Sequence, residues 1–330
     1  VLLQRWQSRR HRARQGISAW LLEPDHQSSE WRQLCAQHSY PYAALYPTQS
    51  LPSLVMAATR RWTLFIVGFV LVTLAFHSGG QTLRSGTGGL GPTIFQAASP
   101  SAAIVAMVAA IMVSALIAVG IARLVTPLSG LAIVGAGLGW WSLNLEGMRG
   151  VVSEGSMPLL AADGMAWALV VLVLGWLVIQ FGQPVSGVKP EVEHEPPDPL
   201  LSPDAVRILV CGLAAIPVVW IVAVNDLRGQ ALCAAILGGL AAGIAGRLFS
   251  PHVQPVILPA AVVLAGTLAM WVVGMMLPED VAVAWARGDI PNVIRLSPID
   301  WAVGGLLGVP MGFKWGDSFL NHEDEPVAAR

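Results

Sequence analysis

Between its charged residues the chain holds eight long apolar windows, at 62–83, 85–122, 124–145, 164–188, 208–225, 229–246, 248–278 and 301–313. A helix rises ~1.5 Å per residue, so about 20 apolar residues cover a ~30 Å hydrocarbon core. Seven windows reach or approach that length. The last does so only with Leu296–Pro298 and Asp300 included. The pattern predicts an all-α, polytopic transmembrane bundle of about eight spans.

Composition closes off the alternatives. Hydrophobic residues make up 55% of the chain and charged residues 12%, where soluble domains carry roughly a quarter charged. Outer-membrane strands alternate apolar and polar positions over ~10 residues, whereas Ser101–Ile121 reads SAAIVAMVAAIMVSALIAVGI without a break. A formal net charge of −1 gives no electrostatic footprint for nucleic acid. The expected partner is the lipid bilayer, with other membrane subunits or a second copy of the chain as further partners.

The windows divide the chain into five stretches. Residues 1–60 form a basic N-terminal segment of short helices, with Arg5, Arg9, Arg10, Arg12 and Arg14 too far from an apolar core to make a cleavable leader. Its approach to the membrane is rich in Pro and Tyr (Tyr40, Tyr42, Tyr46), which suits the headgroup layer. Residues 61–182 hold spans 1–4 and residues 207–315 hold spans 5–8. Between them 183–206 is an acidic linker stiffened by repeated proline, and 316–330 is an acidic tail. Placing the N-terminus in the cytoplasm puts Arg60, Arg61, Arg123, Lys189, Arg207, Arg247 and Lys314 inside and Arg84, Arg149, Arg228, Arg287 and Arg295 outside. This bias, with the basic leaderless tail, predicts an inner-membrane protein with its N-terminus in the cytoplasm.

The two halves echo each other. Span 2 ends in Arg123-Leu124-Val125-Thr126-Pro127 and span 6 in Arg247-Leu248-Phe249-Ser250-Pro251. The loop before span 4 carries Gly155-x-x-Pro158 and then Asp163; that before span 8 carries Gly288-x-x-Pro291 and then Asp300. Acidic runs follow both spans 4 and 8. Echoes in one order at matching places predict a four-plus-four duplication. With an even number of spans per unit, the halves would be related by an axis along the membrane normal.

Ionisable side chains in a membrane are the best pointers to function, because burial is costly unless they serve or pair. Asp163 and Asp300, at the starts of spans 4 and 8, are the candidate substrate-binding residues, framed by Glu146 and Arg149. The alternative is boundary charges that cap helices. Arg123, Pro127, Arg247 and Pro251 are structural turn residues. The pairs Gly135/Gly139, Gly239/Gly243 and Gly304/Gly308 mark close helix packing within the chain, with homodimer contact as the alternative. Pro217, Pro259 and Pro310 lie inside spans as kinks. Trp140, Trp141, Trp167, Trp220, Trp271 and Trp301 form an interfacial belt.

No motif fixes a reaction. Metal-protease, nucleophile-elbow, phosphate-loop and Cys-x-x-Cys signatures are absent from the sequence. Cys35, Cys211 and Cys233 have neither metal nor redox spacing, and the Gly-rich run from Ser85 to Gly91 reads as a flexible loop. No catalytic residue, metal or cofactor is expected. Two functions stay open: a permease or exporter of a small, weakly polar or lipid-like solute moving between the halves, or a non-catalytic scaffold or anchor subunit of a larger complex. A lipid-modifying enzyme ranks third.

Overall fold

The computed structural model describes residues 51–85, 88–153, 157–182, 203–250, 256–276 and 281–320. The N-terminal segment before 51, residues 183–202 of the acidic linker, Gly155, Pro251 and residues 321–330 of the acidic tail lie outside the described residues. The chain divides after Thr59 into two compact units, and both membrane stretches belong to the second, Arg60–Arg330. Among the described residues there is no strand, only isolated bridges pairing Arg84 with Leu90 and Ser85 with Ala97.

Each of the eight windows holds a helix among the described residues. The long helices are α1 Leu51–Gly80, α2 Pro100–Leu124, α3 Pro127–Ser142, α4 Met157–Phe181, α6 Arg228–Phe249 and α7 Ile257–Gly274. Helix α5 comprises two runs, Pro203–Gly212 and Ala215–Val222, and α8 three contiguous ones, Pro298–Val303, Gly304–Gly308 and Val309–Leu320. Six helices are long and apolar enough to cross a membrane: those at Ala58–Leu83, Pro100–Leu124, Met157–Phe181, Ala205–Val222, Arg228–Phe249 and Ile257–Gly274. Their outward faces are apolar, with Leu71, Val105, Leu116, Leu169 and Ile221 all exposed. Water would not tolerate such a surface, and lipid requires it. The protein is a multi-pass membrane protein.

The two helices outside that set, α3 and α8, are the ones buried most completely. Helix α3 has 16 residues and hides Leu131, Ile133, Val134, Leu138 and Trp141; α8 hides every residue from Pro298 to Leu306. The first turns of α8 are walled by other helices and need not be apolar for lipid, so they can hold Asp300, while Lys314 is exposed and Asp317 half-buried at the other end. Helix α3 falls outside the spanning set by its length of 16 residues, not by weak hydropathy.

Glycine makes the close approaches possible. Gly304, Gly308, Gly312 and Gly316 recur every fourth residue along α8, and each lies against α6, at Ala235, Ile236, Leu240 and Arg247. Gly239 and Gly243 of α6 face the same seam, against Gly304 and against Val309 and Gly312. Gly135 of α3 meets the backbone of Leu306 and Leu307, and Gly139 meets Val303. All three glycine pairs are thus covered by helices of the same chain. Helix α4 packs on α7, where Gly164 faces Thr267, and on the start of α8; α2 packs on α3 and α4.

The prolines act differently from the kinks expected. Pro217 follows the Leu213–Ala214 turn that splits α5, because it has no N–H to return to residue 213. Before Pro310 the helix widens to a π turn, with the Val309 N–H donating to Gly304 O. Pro259 bends nothing: it is the third residue of α7, where a missing N–H leaves no gap. The described residues of the Gly-rich run are hydrogen-bonded rather than free. Ser85 N donates to Gly89 O at 2.8 Å, Gly91 N to Leu83 O at 3.1 Å, and Gly88 sits at φ 92°, where a side chain would be strained.

Candidate functional site

Helix direction sorts the polar residues into two ends. One holds the C-termini of α3 and α7 and the N-termini of α4, α6 and α8. Here Asp300 accepts a bidentate pair from Arg228, Nη1 and Nη2 each at 2.9 Å. It also accepts from the backbone N–H and the hydroxyl of Ser297, each at 2.8 Å, while the Ser297 hydroxyl accepts from Asp300 N. Arg228 Nη2 donates further to Ser142 O at 3.2 Å. Arg228 opens α6, where the helix dipole opposes a cation. The buried carboxylate of Asp300 compensates, and the pair fastens the ends of α3, α6 and α8 together. A second latch lies beside it: Arg295 donates to Asp226 at 2.8 Å, as does Trp285 Nε1 at 2.7 Å. Asn292 reaches Trp220 O at 2.7 Å.

Asp163 is placed otherwise. It lies two turns into α4, 1% exposed, and its Oδ2 has no hydrogen-bond partner. Leu160, Gly164, Trp167 and Val171 share its buried face, which Gly164 sets against Thr267 of α7. The Thr267 hydroxyl is already committed to Val263 O at 2.8 Å. One turn on, Trp167 Nε1 is also buried and unpartnered, as are Trp301 Nε1 and Trp141 Nε1. Trp301 packs its ring on Gly266 of α7; Trp141 stacks on Phe76 at 6.1 Å. Buried polar atoms without partners are rare in folded proteins and ask for a reason.

The four sequence-derived site residues sit in different surroundings. No hydrogen bond or ion pair joins any two of Asp163, Asp300, Glu146 and Arg149 among the described residues. Glu146 is at the surface against Gly89, its N–H on Leu90 O at 2.9 Å. Arg149 is exposed at the start of the short helix Arg149–Ser153. The tryptophan belt is likewise only half correct. Trp140, Trp220 and Trp271 point outward, but Trp141, Trp167 and Trp301 are core residues. Neighbouring residues project about 100° apart on a helix, so Trp140 and Trp141 part company.

At the opposite end the turn residues tie helices together. Arg123 Nε donates to Phe181 O at 2.8 Å, capping α4 from α2. Arg247 pairs with Asp317, tying α6 to α8. Pro127 opens α3, and Thr126 caps it by accepting from Ser129 N at 3.2 Å. Beside that cap lies a groove of about 330 Å³, walled by α1, α2, α3 and α8. Arg61, Lys314, Thr126 and Ser129 line it along with apolar side chains such as Phe65 and Ile133. Sequence reasoning missed it because its walls come from four distant segments. A second, shallow cleft of about 420 Å³ lies between α4 and α7, at Met165, Leu268 and Trp271, and is almost wholly apolar.

Among the described residues no three His, Cys, Asp or Glu side chains come together to hold a metal ion. Cys211 is buried and Cys233 exposed, both as free thiols. No known protein family, curated protein or solved structure matches the chain.

Proposed function

We propose that this protein is a permease or exporter of a small, weakly polar or lipid-like solute, built from two parallel four-helix units. The observation that carries the reading is Asp163: a carboxylate in a membrane helix, buried, without a partner, on the face of α4 that meets the second half. A scaffold has no use for such a group, whereas intramembrane carboxylates mark ion and solute paths. Asp163 takes up a coupling cation or a polar group of the solute as the halves move. Asp300, bound by Arg228, is structural and does not share that role.

The pairing of helices supports two units. Exchanging α1–α4 for α5–α8 turns the contact α2–α3 into α6–α7, α2–α4 into α6–α8, α1–α3 into α5–α7, and α3–α8 into α7–α4; both members of each pair are in close contact. The slight α3–α6 contact has no such counterpart among the close pairs of described residues. The arginines of the two turn motifs obey the same exchange, since Arg123 ties α2 to α4 and Arg247 ties α6 to α8. In this reading α3 and α8 also cross, giving eight spans in an inner membrane. The end with Arg61, Arg123, Arg247 and Lys314 faces the cytoplasm.

The scaffold remains the second reading, favoured by the glycine seams that close α3 and α6 on α8. The two part in liposomes holding the full chain and fluorescent, dithionite-quenchable phosphatidylcholine and phosphatidylglycerol, with and without an imposed pH gradient. A carrier moves at least one probe across the bilayer, and Asp163→Asn abolishes the movement while the protein still elutes as a folded species. Asp163→Glu restores part of it. Wild-type liposomes as inert as empty ones would leave the scaffold.

A further inference from the structure

We infer that the groove beside the α3 N-terminus is a binding site for the headgroup of an anionic phospholipid. This deepens the permease reading by naming the solute class, and rests on it for physiological sense only, since binding is measurable without transport.

The lining is divided by chemistry. Two cations, Arg61 from α1 and Lys314 from α8, stand at its rim, both exposed. Neither makes an ion pair or hydrogen bond among the described residues, in contrast to Arg123 and Arg247 at the same end, which are engaged. Asp317, one turn from Lys314, is occupied by Arg247. The Thr126 and Ser129 hydroxyls, 2.8 Å apart, line the same groove. They stand on the first turn of α3, where the helix dipole adds partial positive charge. An anion held there would meet two full charges, hydroxyl donors and a helix end together.

The remaining wall is apolar, and this selects a lipid over a free anion. Phe65, Ile133 and Met311 line the groove without a polar atom to offer. Trp62 at the mouth is 67% exposed and packs edge-on to Phe65 at 6.1 Å. A volume of about 330 Å³ takes a headgroup and the start of a chain, so the acyl chains leave past Trp62 into the leaflet. Arginine and lysine at this depth reach headgroups naturally. The groove also joins the first half to α8 of the second, so its occupant would touch both units.

The test is native mass spectrometry of the full chain in detergent, with dioleoyl phosphatidylglycerol, dioleoyl phosphatidylcholine or inorganic phosphate added in turn. Phosphatidylglycerol should bind at saturating stoichiometry and about tenfold more tightly than phosphatidylcholine, as expected for charge-assisted contacts. The double variant Arg61→Gln/Lys314→Gln should lose that preference, Ala132→Trp should fill the groove and lose both lipids, and Arg60→Gln should behave as wild type. Equal binding of the two lipids, a double variant that keeps its preference, or inorganic phosphate that displaces the lipid would each overturn the assignment. Asp163→Asn should bind phosphatidylglycerol unchanged. If wild type binds it but moves no lipid, the site stands and the permease reading falls.

Discussion

Asp163 and Asp300 are the same residue type near the N-terminal ends of their helices, yet their surroundings differ completely. Asp300 accepts four hydrogen bonds, two from a guanidinium; Asp163 Oδ2 accepts none. Both were legible as candidates, because each carboxylate stands at the very start of an apolar window. Their difference was not, since it depends on Arg228 arriving from 72 residues away. Breaking a buried pair from one side leaves an uncompensated charge. Arg228→Gln should therefore destabilise the bundle by about 3–5 kcal/mol, whereas Arg228→Met with Asp300→Leu should recover much of that loss. Thermal unfolding in detergent checks both. Equal destabilisation by the single and double variants would show that the ion pair itself, not the orphaned charge, holds the helix ends.

At the scale of helices, hydropathy located the apolar segments, six of which form helices long enough to cross a membrane, while their interruptions were set by tertiary contacts. The window at 85–122 yields an α-helix only from Pro100, because described residues between Leu83 and Ala98 instead bond among themselves and with Glu146. Charged α8 read as the one doubtful span, and with α3, whose window read as a full span but whose helix has only 16 residues, it is the core. The Gly304/Gly308 pair was visible, but its extension through Gly312 and Gly316 gained meaning only when α6 was found against all four. Substitution should follow that geometry. Gly308→Leu forces α8 off the Ile236 carbonyl and should abolish folding or lower the unfolding midpoint severely. Gly120→Ala, which meets nothing within 4 Å, should stabilise by about 0.5–1 kcal/mol through helix propensity. A tolerated Gly308→Leu would mean that the α6–α8 seam is looser than drawn.

For the whole molecule, the account rests on two units that shift against each other across the α4–α7 and α3–α8 contacts while each keeps its own packing. The sequence echoes hinted at this, but the groove, the tryptophan cores and the exchange of helix pairs needed coordinates. Disulfide locking in a cysteine-free background, measured by lipid-probe translocation in liposomes, tests it most directly. A Cβ at Gly274 would lie 3.4 Å from the Met157 Cβ, across the two units, and one at Gly238 would lie 3.3 Å from Ala215, inside the second. Both are near the spacing a disulfide needs. The account predicts that oxidising Met157→Cys/Gly274→Cys stops translocation and that reduction restores it, while oxidising Ala215→Cys/Gly238→Cys leaves it running. Translocation that persists through the cross-unit lock would contradict it.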